Sequence, residues 1–90
     1  MKTYILNFKD KETADQLHDY LAMMLDFPEH YGRNLDALYD CLTSITAPSC
    51  ISITNIDGGN ELHRRTLAVF KDAADDNERL RLVKGAEGWV

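Results

Sequence analysis

Ninety residues, 44% hydrophobic and 28% charged, fit one folded domain over residues 1–90 and exclude a disordered chain. Ten basic against fifteen acidic side chains give a formal charge of −5, which argues against direct nucleic-acid binding, because phosphates need a cationic surface. A chain of this size exposes roughly 5,400 Å², and one ordinary protein–protein footprint of about 800 Å² would cover about a seventh of it.

Residues 4–8 are a short apolar run that reads as a buried strand, followed by a polar turn at 9–12. Thr13 can cap the helix that follows. Ala14, Leu17, Leu21, Met24 and Leu25 recur at helical spacing, with Asp15, Gln16, Asp19 and Ala22 mostly opposite. Phe27-Pro28 ends this helix, since a residue before proline avoids the helical region. Residues 29–33 are a loop in which Gly32 can supply a positive φ. Asn34 is a good N-cap for a second helix from 35 to about 44. Its Leu35, Leu38 and Leu42 share one narrow arc with Cys41 beside it, while Asp36, Asp40, Thr43 and Ser44 share another and Tyr39 sits at the border.

After a turn at 47–49, residues 50–56 alternate and are β-branched, a strand with one more polar face. Asp57-Gly58-Gly59-Asn60 is a turn, and Asn60 can cap a third helix over about 61–75. Leu62, Thr66, Val69, Phe70 and Ala73 form its apolar face; Arg65, Ala68 and Asp72 lie outside. Residues 80–83 are a last strand, with a tail at 85–90. The order β-α-α-β-α-β indicates an α/β fold, a three-stranded parallel sheet packed by helices with right-handed crossovers.

No apolar run approaches the roughly 20 residues of a membrane span. No secretory signal is visible at the N-terminus, so a cytoplasmic location is expected, with Cys41 and Cys50 as free thiols. His18, His30 and His63 lack metal-ligand spacing, and no metal or cofactor is expected. Asp36 and Asp40 are i, i+4 neighbours whose like charges cost their own helix a few tenths of a kcal/mol. They form either a solvated polar face or a surface waiting for cations. As a catalytic acid/base pair they would need to flank a cleft, which adjacent turns of one helix do not provide. Cys41 and His30 could be imagined as nucleophile and base, but Cys41 borders the leucine arc and reads as an inert thiol. The Gly58-Gly59 turn lacks the Lys and Ser/Thr of a phosphate loop. Tyr31 is either a binding aromatic or core packing beside Pro28.

The run Tyr31-Gly32-Arg33-Asn34-Leu35-Asp36-Ala37-Leu38-Tyr39-Asp40-Cys41-Leu42-Thr43 resembles the signature of the barstar family, intracellular protein inhibitors of secreted microbial ribonucleases. Outside about residues 27–43 the likeness is one of pattern and element order. The family fold is the three-stranded parallel sheet already read from the sequence. The resemblance implies a non-enzymatic immunity protein that neutralises a basic ribonuclease or related toxin by occlusion; a monomer is expected when free, since no extra apolar helix face remains after the core is assigned. The second helix and the loop before it would plug the nuclease site. Asp40 would occupy the phosphate position and Asp36 would pair with active-site cations. Asn34, Tyr39, Thr43, His30 and Asp72 would supply further contacts. Tyr39 stands where the best-known member has Trp, Ser44 where it has Gly, Ile45 where it has a second Trp, and Arg33 where it has Glu. Arg33, Ser44 and Ile45 are therefore expected at the specificity rim. The alternative is a binding or immunity module of the same fold for a basic partner that is not a ribonuclease. Between positions 26 and 44 stand four acids and one base, which concentrates much of the acidity there.

Overall fold

The computed structural model describes residues 1–84. Six elements follow one another: β1 (Lys2–Asn7), α1 (Ala14–Leu25), α2 (Leu35–Thr43), β2 (Ser49–Thr54), α3 (Glu61–Asp76) and β3 (Leu80–Lys84). The strands lie in the order β1-β2-β3, all parallel, with Leu6 opposite Ile53 and Ile51 opposite both Tyr4 and Leu82. This is the α/β architecture expected from the sequence. Parallel neighbours need long crossovers, and the chain supplies them as α1 with α2, then α3.

β2 is central because its alternation suits it: Ser49, Ile51 and Ile53 are buried and Cys50, Ser52 and Thr54 half-buried. The strand begins one residue earlier and ends two earlier than its sequence pattern indicated, because Asn55 turns left-handed (φ 58°). β1 is an edge strand, with Leu6 buried, as is Phe8 just past its end, but Ile5 62% exposed. Its outer edge is partly closed by the Tyr20 hydroxyl of α1, which accepts the Asn7 N–H at 2.8 Å. The core beneath the sheet joins Leu17 and Leu21 of α1, Leu38 and Leu42 of α2, and Phe70 and Ala73 of α3 to the strand side chains.

α1 starts as expected, with a reciprocal capping box between Thr13 and Gln16. It stops at Leu25, not at Phe27. Asp26 takes the left-handed conformation (φ 54°), and the Asp26 and Phe27 N–H groups both donate to the Ala22 carbonyl, so the helix is closed before proline is reached. Ala14, expected on the apolar face, is exposed; His18 occupies that face instead and is 3% exposed. The positive φ of the next loop falls on Arg33 (56°), not on Gly32. Glycine is needed at 32 for a different reason: a β-carbon there would sit 3.1 Å from the Ala37 methyl in the first turn of α2.

α3 runs one residue further than the pattern suggested, and His63 and Leu67 join its buried face. His63 is 2% exposed and fully hydrogen-bonded. Its Nδ1 accepts the Asp57 N–H at 3.0 Å, and its Nε2–H donates to the Lys11 carbonyl at 2.7 Å, which fixes the neutral tautomer. This ring ties the β1–α1 loop to the β2–α3 loop. Cys41 and Cys50 are both free and half-buried. Among the described residues, no helix is long and apolar enough to cross a membrane. The tail at 85–90 lies outside the described residues.

Candidate functional site

α2 is short, and its ends are held from outside it. At the N-terminus, Asn34 is extended (φ −142°, ψ 173°) and its Oδ1 accepts the Ala37 N–H at 2.8 Å. At the C-terminus, the Asn77 side chain at the end of α3 donates to the carbonyls of Leu42 (3.0 Å) and Ile45 (3.1 Å). These bonds satisfy acceptors that a helix end otherwise leaves open. Leu38 and Leu42 are fully buried, and that rotation turns Asp36 and Asp40 out to solvent. Both described ion pairs belong to Arg33, so no cation pairs with Asp36 or Asp40 among the described residues.

Tyr39 is the hinge between two acidic helices. Its hydroxyl donates to Asp76 of α3. That bond, then desolvation and the charges of Asp76, Asp72 and Asp40, push the phenol ionisation up, so Tyr39 remains a neutral donor. Asp76 thus bonds Tyr39 directly, and the charges of Asp72 and Asp40 act on the same phenol. Asp76 was not singled out in the sequence, although it lies four residues after Asp72 and so on the same helix face. Thr43 and Ser44 turn their hydroxyls to the helix backbone: Thr43 Oγ1 donates to the Tyr39 carbonyl at 2.8 Å and Ser44 Oγ to the Asp40 carbonyl at 2.7 Å.

Beside Asp40 an open groove of about 390 Å³ runs between α2 and the preceding loop. Leu25, Phe27, Pro28 and Ile45 give it apolar walls, and Asp26, His30, Asp40, Cys41 and Ser44 its polar ones. The structure therefore brings His30, Ser44 and Ile45 to one depression with Asp40. It does not make Cys41 a nucleophile: burial, and then Asp40, push the thiol pKa up, opposite to what activation requires.

Tyr31 is core rather than surface. It is 8% exposed, its hydroxyl is hydrogen-bonded to His18 Nδ1 at 2.7 Å, and its ring lies 4.8 Å from that of Phe27. Burial, with a smaller contribution from Cys41 and opposition from Arg33, pushes its ionisation up to about 12. Burial and Arg33 together lower the His18 pKa against the pull of Asp15 and Asp19. The Asp57-Gly58-Gly59-Asn60 stretch is a turn closed on itself. Asp57 Oδ1 accepts the Gly59 N–H at 2.8 Å, and Asn60 Oδ1 accepts the first N–H groups of α3. Arg33 is bound to α1, with Nη1 2.9 Å from Asp19 Oδ1 and Nη2 3.3 Å from Asp15 Oδ1. No cluster of three or more His, Cys, Asp or Glu side chains among the described residues has the geometry of a metal site.

Residues 1–84 match the protein family described as Barstar (barnase inhibitor). A Bacillus subtilis (strain 168) protein named "Putative ribonuclease inhibitor YrdF" is similar to the chain, 44% identical over 61 residues that cover 67% of each. These names point to an inhibitor rather than an enzyme. With the fold, the signature on α2 and a match over nearly the whole chain in agreement, the chain belongs to the barstar family.

Proposed function

We propose that this protein is a cytoplasmic inhibitor of a small basic ribonuclease, protecting the cell that makes it by covering the nuclease active site. The observation that carries this reading is the face of α2. Asp36 and Asp40 are exposed, no described cation pairs with them, and Asp72 and Asp76 of α3 stand close enough to act on the same Tyr39. A site that binds RNA phosphate holds cations at fixed positions, and carboxylates at matching positions satisfy them.

Asp40 takes the phosphate position, beside the groove, and Asp36 pairs with a second cation one turn earlier. His30, Ser44 and Ile45 border the groove and receive the side chains around that site. Tyr39 and Thr43 fill the surface between the carboxylates. Asn34 sets the start of α2, and Asp72 extends the acidic surface onto α3. A footprint of about 800 Å² on a molecule exposing 5488 Å² takes in this whole end of α2 and α3. The protein acts as a monomer, and the long-range attraction between an acidic face and a basic cleft speeds encounter.

The test is a titration of the purified protein into a panel of small basic ribonucleases, reading RNA cleavage and association rate at low and high salt. Stoichiometric inhibition of at least one enzyme, with an association rate that falls steeply with salt, is the expected result. No inhibition of any enzyme, including nucleases encoded near this gene, would overturn the proposal. Tight binding that leaves RNA cleavage intact would favour the binding-module alternative.

A further inference from the structure

We propose that Arg33 is a positioning residue, a clamp that fixes the corner between the His30 loop and α2 by bridging two carboxylates of α1. It is not a cation presented to the partner. Arg33 lies between the buried Tyr31 and the capping Asn34, with left-handed backbone (φ 56°) that a non-glycine residue adopts at a cost. Its guanidinium reaches Asp19 Oδ1 at 2.9 Å with one terminal nitrogen and Asp15 Oδ1 at 3.3 Å with the other. The second nitrogen also lies 3.4 Å from the Asp15 carbonyl. One planar group thus holds two successive turns of α1, as the fork of a guanidinium allows and a lysine ammonium does not.

The corner so held is tight. Asn34 Nδ2 donates to the Gly32 carbonyl at 3.2 Å, and Gly32 packs against Ala37, next to Asp36. On the inner side the same loop is anchored by the Tyr31–His18 hydrogen bond. The loop is therefore pinned to α1 twice, inside by a neutral pair and outside by an ionic one. The Arg33 side chain is 46% exposed, so the outer pin adds little to global stability. Its effect is local: it orients the His30 loop relative to Asp36 before a partner arrives. It also sets the one base of the 26–44 segment against two acids of α1, so that its charge opposes a basic partner less.

The binding arm of the test rests on the ribonuclease reading; the other arm does not. Arg33→Met makes the protein more acidic by one charge, whereas Asp15→Asn with Asp19→Asn makes it less acidic by two. If Arg33 were a rim cation, Arg33→Met would tighten binding to a ribonuclease inhibited by the wild type. As a clamp, it should speed dissociation about three- to tenfold, and the double variant, with the opposite charge change, should speed it similarly. Arg33→Lys should recover only part of the loss. In the free protein, backbone order parameters of residues 32 and 33 should fall in both variants, with the denaturation midpoint nearly unchanged. Unchanged order parameters, or tighter binding by Arg33→Met, would overturn the proposal. If the wild type inhibits no ribonuclease, the functional reading fails and the clamp is decided by the order parameters alone.

Discussion

Two loops deliver the chain into a helix through an asparagine cap: residues 26–34 into α2 and residues 55–60 into α3. Both contain left-handed residues that are not glycine, Asp26 and Arg33 in the first and Asn55 in the second. Each is anchored by a buried histidine, His18 holding Tyr31 and His63 holding the Asp57 N–H. The difference lies in what they leave outside. In the loop before α3, Asp57 accepts from Gly59, Asn60 Nδ2 donates to the Glu12 carbonyl at 3.3 Å, and Arg64 donates to the Gly58 carbonyl at 2.7 Å. Those groups are spent within the molecule. The loop before α2 leads to Asp36 and Asp40, which the described cations leave unpaired. Similar devices thus close one loop on itself and lead the other to an exposed acidic face.

Three measurements can break or sharpen this contrast. The largest effect is expected from Asp40→Ala, which should weaken inhibition by about 4 kcal/mol, through dissociation, as removal of one member of a desolvated charge pair does. Its folding stability should stay within about 0.5 kcal/mol of wild type, as for an exposed side chain. An unchanged dissociation rate would remove Asp40 from the centre of the face. Next is His63→Ala, which strands the Asp57 N–H and the Lys11 carbonyl and opens a cavity. A loss near 3 kcal/mol in chemical denaturation is expected. Inhibition by the folded fraction should be intact, and a loss of affinity would show that the two loops are not separate in function.

The smallest effect concerns pH. Tyr31 ionises near 12 in the folded protein against 10.0 for a free phenol. A raised phenol value means that its stabilisation is complete below pH 10 and is lost as pH rises toward 12. Tyr31→Phe should flatten that limb. The lowered His18 value works at the other end. There the unfolded chain takes up the proton first, so stability is full above about pH 6.5 and declines as pH falls through the folded value. His18→Gln should flatten this acid limb, and a decline of wild-type steepness in that variant would show that other groups carry it.

The elements were legible because each carries its own local signal. Thr13, Asn34 and Asn60 mark three helix starts, and all three cap as read. Ile51 and Ile53 alternate with smaller polar residues on the central strand. Asp36 and Asp40 were legible as an exposed pair for the same reason: the leucines of α2 fix which way they face. What escaped depends on contacts remote in sequence. His63 is buried because Lys11 and Asp57 wait for its two nitrogens, and neither lies within one helical turn of it. Arg33, expected at the specificity rim, pairs with two carboxylates of α1, eighteen and fourteen positions earlier, which no local pattern announces. The left-handed residue was sought at the glycine and found at its neighbour, because Gly32 is required by the approach of Ala37 instead. Asp76 joins the site only through Tyr39.

The two bonds from Asn77 have an electrostatic consequence. They place the C-terminal end of α2 against that of α3, and neither helix has a basic residue in its last turn. Peptide dipoles sum to roughly half a negative charge at each such end. Arg79, which donates to the Thr46 carbonyl, offsets part of this field. The remainder adds to Asp40, Asp72 and Asp76, so the backbone itself contributes to the potential that an incoming cation meets. Neutralising the carboxylates one by one should therefore leave a residual attraction for basic proteins that no side-chain substitution in α2 abolishes.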